Sequence, residues 1–219
     1  MQPSLFAKTP LDPAIARNLA ASFHFRANGT ASLVFYCPDT GFSRNVRAMT
    51  MIMTDAVRLL LFPALMAFAA SSDLFTMTIS NRVSLALIAG FALMAVVTGM
   101  PSHTVLSHIG AGATVLVATF IFFSRGWIGG GDAKLAAATA LWLGFDQLMN
   151  YLLYASMLGG VLTIAIIQFR HMPLPAAFAG QEWVQRLHRM DAGVPYGIAL
   201  AASALLVYPE TFWMQSLIK

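Results

Sequence analysis

The sequence predicts an all-α membrane protein with about six transmembrane helices. Of its 219 residues, 58% are hydrophobic and 10% are charged, whereas soluble globular domains carry about 25% charged residues. The mean hydropathy of +0.70 agrees with this. The pI of about 9.6 does not indicate a nucleic-acid partner, because basic residues also orient proteins in the lipid bilayer.

Six stretches approach the roughly 17 to 25 apolar residues that a helix needs to cross a bilayer. They cover residues 56–71, 83–100, 104–123, 133–150, 151–169 and 194–213. Pro63 is a candidate kink in the first span. Gly144, with Asp146 and Asn150 after it, marks the turn between the fourth and fifth spans, since glycine and short polar residues favour turns.

The basic residues of the connecting loops predict the orientation in the membrane. Lysine and arginine concentrate in cytoplasmic loops. One side of the predicted topology holds six of them, namely Arg82, Arg125, Lys134, Arg170, Arg186 and Arg189. The opposite connections, residues 101–103 and the Gly144 turn, hold none, and only Lys219 falls on that side. The basic side is therefore predicted to face the cytoplasm.

The segment 1–50 does not fit this topology. It carries five basic residues on the side that should be depleted of them, namely Lys8, Arg17, Arg26, Arg44 and Arg47. It shows no clean periodicity and no continuous apolar core of the kind that a signal peptide has. We expect an N-terminal extension that is either disordered or an over-extended gene start, with a folded module as the alternative, and a transmembrane domain over residues 53–213.

Two aspartates lie at the predicted cytoplasmic ends of spans. Asp73 follows the first span and Asp132 opens the fourth. A carboxylate within a bilayer costs at least about 2.5 to 3.5 kcal/mol, so it is a functional candidate by default. Structural roles are the alternatives: Asp132 as a helix cap, and Asp73 as an ion-pair partner of Arg82.

The glycines before Asp132 favour a catalytic role. Gly129, Gly130 and Gly131 carry no side chain, so another backbone can approach closely, which suits a cleft that holds an extended peptide. Two carboxylates brought together share a proton. One can then activate a water while the other protonates a carbonyl, which is aspartic-protease chemistry. An ion or proton carrier remains an alternative.

Other catalytic sites find little support in the sequence. The glycines do not fit a nucleotide-binding loop and there is no H-E-x-x-H motif. The lone Cys37 excludes both an intramolecular disulfide and a cysteine-rich zinc site. Neither a metal nor a cofactor is predicted.

Three motifs resemble those of the type IV prepilin peptidases, a branch of the G-x-G-D intramembrane aspartic proteases. "GGGDAKL" is similar to G-x-G-D-x-K-L, and "VPYGIAL" to the late P-Y-G segment. "DLFTMTISNRVSLAL" is similar to D-x-x-x-x-x-I-P-N-x-L-T, with Ile79 and Asn81 matching. Ser80 stands where proline is usual and Val83 where leucine is common, which puts the local turn in doubt.

The resemblance implies both the activity and the residues that carry it. Asp73 and Asp132 would be the catalytic pair. The cleft and motif residues would be Gly129, Gly131, Lys134, Asn81, Pro195, Tyr196 and Gly197. Lys134 would orient or tune Asp132, or act only as a snorkelling anchor. Such enzymes cut the basic leader from prepilins and pseudopilins at the cytoplasmic face of the bacterial inner membrane, and the pilus assembly machinery would be a further partner.

Long members of this family also methylate the new N-terminus and carry paired C-x-x-C motifs. With Cys37 alone, the chain resembles the short, peptidase-only form of Flp/Tad pili, so no methyltransferase activity is expected. The alternatives are another G-x-G-D protease, of the preflagellin or signal-peptide type, and a non-enzymatic carrier or membrane scaffold.

The loop before the last span contains "QEWVQRLHRM". Trp183, Leu187 and Met190 recur there at helical spacing, with Arg186 and Arg189 off that face. This pattern predicts an interfacial helix whose apolar face lies on the lipid headgroups, either as a surface anchor or as a gate for substrate.

Overall fold

The computed structural model describes residues 41–174, 178 and 180–218. The chain divides into two compact units, residues 1–53 and 54–219. The first unit is described only from Gly41, where a helix begins, so most of the prediction for segment 1–50 lies outside the described residues.

Every regular element in the described ranges is a helix. In chain order these are α1 (Gly41–Thr76), α2 (Asn81–Val97), α3 (Ser102–Ser124), α4 (Gly130–His171), α5 (Glu182–His188) and α6 (Tyr196–Val207), then a 3₁₀ turn (Tyr208–Glu210) and α7 (Phe212–Ile218). The connections from α1 through α4 are four or five residues long.

Four segments are long and apolar enough to cross a membrane: Ile52–Thr76, Ser102–Ser124, Gly130–His171 and Tyr196–Gln215. Asn81–Val97 is a shorter apolar helix. The all-α, membrane-spanning fold class is therefore confirmed. Pro63 lies inside α1 without ending it.

The predicted turn at Gly144 is present as a single non-helical residue, and the chain is helical on both sides of it. Gly144 has φ 70° and ψ 179°, outside the helical region. A left-handed φ strains any residue with a β-carbon but is cheap for glycine. Gly144 thus divides α4 into a first arm (130–143) and a second arm (145–171), which correspond to the fourth and fifth predicted spans.

The two arms fold back on each other. Asp132, on the first arm, lines a cleft with Asp73, and Asp73 accepts a hydrogen bond from the amide of Gly197. Gly159, on the second arm, faces the ring of Tyr196, the neighbour of Gly197. In a straight helix Asp132 and Gly159 would be about 40 Å apart, so the second arm must run back beside the first.

The break frees backbone carbonyls in the apolar interior, where no water can satisfy them. The ring of His108 donates through Nδ1 to the carbonyl of Leu141 at 2.8 Å. The indole of Trp213 donates to the carbonyl of Trp142 at 2.8 Å. Side chains from α3 and α7 therefore replace the helical donors that the break removes.

The same region forms the aromatic core of the protein. Trp142 and Trp213 are fully buried, and their ring centroids lie 5.3 Å apart. Phe62 stacks on Tyr208 with centroids 4.6 Å apart, and Trp142 donates to the carbonyl of Leu87 at 2.8 Å. These contacts join α1, α2, the first arm and the C-terminal helices.

We expect Gly144→Ala to destabilise the protein. A β-carbon there would lie 2.9 Å from Nε2 of His108, and the left-handed φ adds about 1 to 2 kcal/mol of strain. Thermal unfolding in detergent should show a loss of at least about 2 kcal/mol.

Gly160→Ala is the matched control on the second arm. A β-carbon there meets nothing within 4 Å, and alanine favours a helix by up to about 1 kcal/mol. Equal stability of the two variants would contradict the role given to Gly144.

Candidate active site

Asp73 lies in the last turn of α1, and the local sequence ends the helix directly after it. Met77 adopts a left-handed φ of 51°, and its amide donates to the carbonyl of Asp73 at 2.8 Å, as in an αL helix cap. The hydroxyl of Thr76 donates to the carbonyl of Ser72 at 2.7 Å. The position of Asp73 is thus set by the turn that closes the helix.

The connector from Met77 to Ser80 leads into α2 without strain at Ser80. Ser80 is the N-cap, with φ −65° and ψ 139°, and its hydroxyl accepts from the amide of Arg82 at 3.3 Å. Proline holds φ near −65°. Ser80 therefore takes the φ that a proline would impose and adds a capping oxygen, which resolves the doubt raised by this departure from the family pattern.

Asp132 lies in the first turn of α4 but is not its cap. The N-cap is Gly129, which has no side chain to bond the free amides. A carboxylate in the first turn interacts favourably with the positive end of the helix dipole. The capping role considered for Asp132 is therefore not the one that the structure shows.

Asp73 and Asp132 line one cleft with a volume of about 290 Å³. Its other lining residues are Met77, Thr78, Ile79, Gly129, Gly130 and Gly131. Asp73 is only 4% exposed, whereas Asp132 is half-buried. The structure thus brings together the two aspartates that the sequence singled out. Two larger cavities between α2, α3 and the first arm are almost entirely apolar and contain no carboxylate.

The partner of Asp73 is a backbone amide. The N–H of Gly197 donates to Oδ2 of Asp73 at 2.7 Å. The ion pairs recorded in the described part of the chain are Arg58–Asp55 and Arg189–Asp191. The alternative of an ion pair between Asp73 and Arg82 is therefore wrong.

Gly197 has no room for a side chain. A β-carbon would lie 2.7 Å from Cδ1 of Ile79 and 2.8 Å from Oδ2 of Asp73. Its neighbours hold the segment in place, because Pro195 is fully buried and the hydroxyl of Tyr196 hydrogen-bonds that of Thr163 at 2.9 Å. The P-Y-G segment is therefore part of the site.

The glycines before Asp132 allow protein segments to approach each other. A β-carbon on Gly131 would lie 3.2 Å from Cβ of Ile79, and one on Gly129 would lie 3.1 Å from Oδ2 of Asp132. The sequence suggests that the space beside Gly131 holds a bound peptide, but Ile79 of the connector occupies it. Gly131 thus lets α4 approach the connector closely, while Gly129 leaves room for the carboxylate of Asp132.

Lys134 and Asn81 form one contact beside the cleft. The ammonium of Lys134 donates to Oδ1 of Asn81 at 2.9 Å. Neither of the roles considered for Lys134, tuning of Asp132 or snorkelling, included this partner. The contact ties the start of α4 to the start of α2, each only two residues beyond a residue that lines the cleft.

The helix predicted in "QEWVQRLHRM" exists as α5, which packs against α1. It ends at His188, so Met190 lies beyond it and is 65% exposed. Val184 is buried, and Trp183 packs edge-on against Phe75 with ring centroids 5.6 Å apart. Of the predicted apolar face, Met190 lies beyond the helix, whereas Trp183 and Leu187 lie on it and are half-buried.

Within the described ranges, no group of three or more His, Cys, Asp or Glu side chains is placed to hold a metal ion. The polar chemistry of the cleft is that of its two carboxyl groups and the backbone around them.

The comparison with protein-family models matches residues 60–164 to the type IV leader peptidase family. The matched stretch covers just under half of the 219 residues. It contains both aspartates of the cleft, and it confirms the resemblance drawn from the sequence motifs. The match supports a leader-peptidase-like protease. Comparisons with curated proteins and with solved structures gave no match.

We expect Gly197→Ala to impair the site more than the fold. The added carbon would displace the Asp73 carboxylate or break its bond to the Gly197 amide. Peptide cleavage should fall at least about 100-fold, while thermal unfolding in detergent changes little.

Gly193→Ala is the control in the same loop, since a β-carbon there meets nothing within 4 Å. If Gly197→Ala cleaved as well as Gly193→Ala, the contact between Gly197 and Asp73 would have no part in activity.

Proposed function

We propose that the protein is an intramembrane aspartic endopeptidase that removes the basic leader from Flp-type prepilins and pseudopilins at the cytoplasmic face of the bacterial inner membrane. The observation that carries this proposal is the placement of Asp73 and Asp132 at one cleft, within a stretch that matches the type IV leader peptidase family.

The reaction needs only the two carboxyl groups and a water. One carboxylate accepts a proton from the water as its oxygen attacks the carbonyl carbon of the scissile peptide, while the other carboxyl group donates its proton to the carbonyl oxygen. The tetrahedral intermediate then collapses, and one of its hydroxyl groups returns a proton to the carboxylate that had acted as the acid. The C–N bond breaks, and the leaving amine takes up the proton that the general base had accepted.

The cleft suits this chemistry because its lining buries Asp73 and half-buries Asp132. Asp73 is almost completely buried and already accepts one N–H, so its carboxylate is oriented before substrate arrives. Preorganised polar groups contribute most to catalysis where water is excluded.

The charge pattern supports a cytoplasmic cleft. Arg82, Arg125 and Lys134 lie in or directly beside the connections that line it, and the positive-inside rule places such loops in the cytoplasm. A leader peptide is retained on that side by its own positive charge, and the apolar stretch that follows it enters the membrane. The scissile bond would then lie at the level of the cleft.

Replacing either aspartate should abolish cleavage. Asp73→Asn and Asp132→Asn keep the size of the side chain but remove the proton exchange. We expect each to lower the cleavage rate of a Flp-type prepilin, measured with purified enzyme in liposomes, at least about 100-fold. Asp146→Asn is the control, because Asp146 is exposed and follows the Gly144 turn at the other end of the first arm.

Near-normal cleavage by either cleft variant would rule out the aspartic mechanism. Wild-type protein that moved protons or cations across the liposome but left prepilin intact would indicate a carrier instead. Cleavage of a preflagellin or a secretory signal peptide in preference to prepilin would correct the substrate while leaving the mechanism in place.

A further inference from the structure

The C-terminal end of α1 requires hydrogen-bond donors from outside the helix. The last four carbonyls of a helix have no helical partner and are satisfied by side chains, by other backbone groups or by water. The carbonyl of Asp73 is satisfied locally by the amide of Met77. The carbonyl of Phe75 accepts from Nη1 of Arg186 at 3.0 Å. A distant arginine on α5 therefore caps the turn that carries Asp73.

The contact of α5 with α1 has two parts, one helical turn apart. Trp183 packs edge-on against the ring of Phe75, while Arg186 bonds the backbone of the same residue. One contact fixes the side chain of Phe75 and the other its carbonyl. Because Phe75 follows Asp73 by only two residues, movement of α5 would move the turn that carries the carboxylate.

A second arginine holds the loop between α5 and α6. Arg170, near the end of the second arm, donates through Nε to the carbonyl of Leu187 at 2.9 Å and through Nη2 to that of Gly193 at 2.8 Å. The planar guanidinium can bridge two acceptors in fixed geometry, whereas an ammonium is a compact point charge. Arg170 thereby fixes the segment that leads to Gly197, whose amide binds Asp73.

The two arginines act on Asp73 by different routes. Arg186 holds the backbone on which Asp73 sits, and Arg170 holds the loop that carries the amide donor of its carboxylate. In the described ranges, the recorded bonds of both guanidinium groups go to backbone carbonyls. Neither group forms a recorded ion pair with Asp73, so neither removes the carboxylate from the cleft.

We propose that Arg186 and Arg170 are positioning residues that fix the carboxylate of Asp73 in the cleft. The inference rests on the proposed function, since it assigns these arginines a role in the cleavage that Asp73 carries out. A positioning error of about 1 Å at a catalytic group can lower a rate about 100-fold, so the effect should appear in turnover and not in substrate affinity.

The experiment compares Arg186→Gln, Arg186→Lys, Arg170→Gln and Arg170→Lys in liposomes, with Arg82→Gln as the control. Arg82 is an exposed arginine beside the same connector, so its replacement changes the local charge equally without touching α5. We expect both glutamine variants to lower kcat about 10- to 100-fold with KM changed less than about 3-fold. The control should retain its kcat.

The lysine variants separate the two routes. Arg186 makes one recorded bond to Phe75, which a lysine can also make, so Arg186→Lys should recover most of the turnover. Arg170 bridges two carbonyls in fixed geometry, so Arg170→Lys should recover little. Loss of charge or of loop stability alone would not produce this difference.

Hydrogen exchange gives a measurement that does not depend on cleavage. The amide of Gly197 should exchange faster in Arg170→Gln than in wild type, while the thermal midpoint of the whole protein stays within a few degrees. Cleavage and exchange equal to those of Arg82→Gln in both glutamine variants would overturn the inference, as would a fall in kcat that only follows the folded fraction.

The same experiments distinguish a failure of the proposed function from a failure of the positioning inference. If Asp73→Asn cleaves prepilin normally, the proposed function fails. The exchange of the Gly197 amide then decides whether Arg170 fixes the contact with Asp73, whatever that contact serves. If Asp73→Asn is inactive and the arginine variants are fully active, the proposed function stands and the positioning inference is wrong.

Discussion

A backbone carbonyl that loses its helical partner needs another donor, and within the bilayer core no water can supply one. The need for such a donor arises at both interruptions of the helices, at Gly144 and after Thr76. At Gly144 the first arm ends in the apolar interior, and His108 and Trp213 supply donors to the carbonyls left there. At Thr76 the first span ends beside the cleft, and Met77 and Arg186 supply them. Each interruption of a helix is thus paired with a donor from elsewhere in the chain.

These two interruptions make the site possible. The break at Gly144 lets one helix contribute two arms, so that Asp132 on the first arm and Gly159 on the second lie near the same loop. The end of α1 leaves a four-residue connector against which Gly131 packs. Because Gly131 has no side chain, α4 and the connector approach closely, and both carboxylates lie at one cleft.

The sequence predicted the elements with a local signature, and it missed the contacts between distant segments. Apolar runs located the spans, a glycine followed by polar residues located the turn, and an intramembrane carboxylate is costly enough to identify Asp73 and Asp132. The bond from Arg186 to Phe75 joins a side chain to a carbonyl 111 positions away, and any residue type presents that carbonyl. No local sequence pattern predicts the left-handed backbone conformation of Met77 either. The helical spacing extended the predicted helix to Met190, but α5 ends at His188.

The two carboxylates do not occupy equivalent environments. Asp73 is almost fully buried, accepts an amide and sits on a helix end held by Arg186. Asp132 is half-buried at the start of a helix, where the helix dipole acts on its carboxylate. Gly129 leaves room for that carboxylate because it has no side chain. Two carboxyl groups held close together share one proton because both cannot be charged at once. Unlike surroundings then decide which of the two holds that proton and which accepts one. The long loop from α5 to Gly197 serves one carboxylate and the glycine-rich start of α4 serves the other, so the difference between them is built from separate parts of the chain.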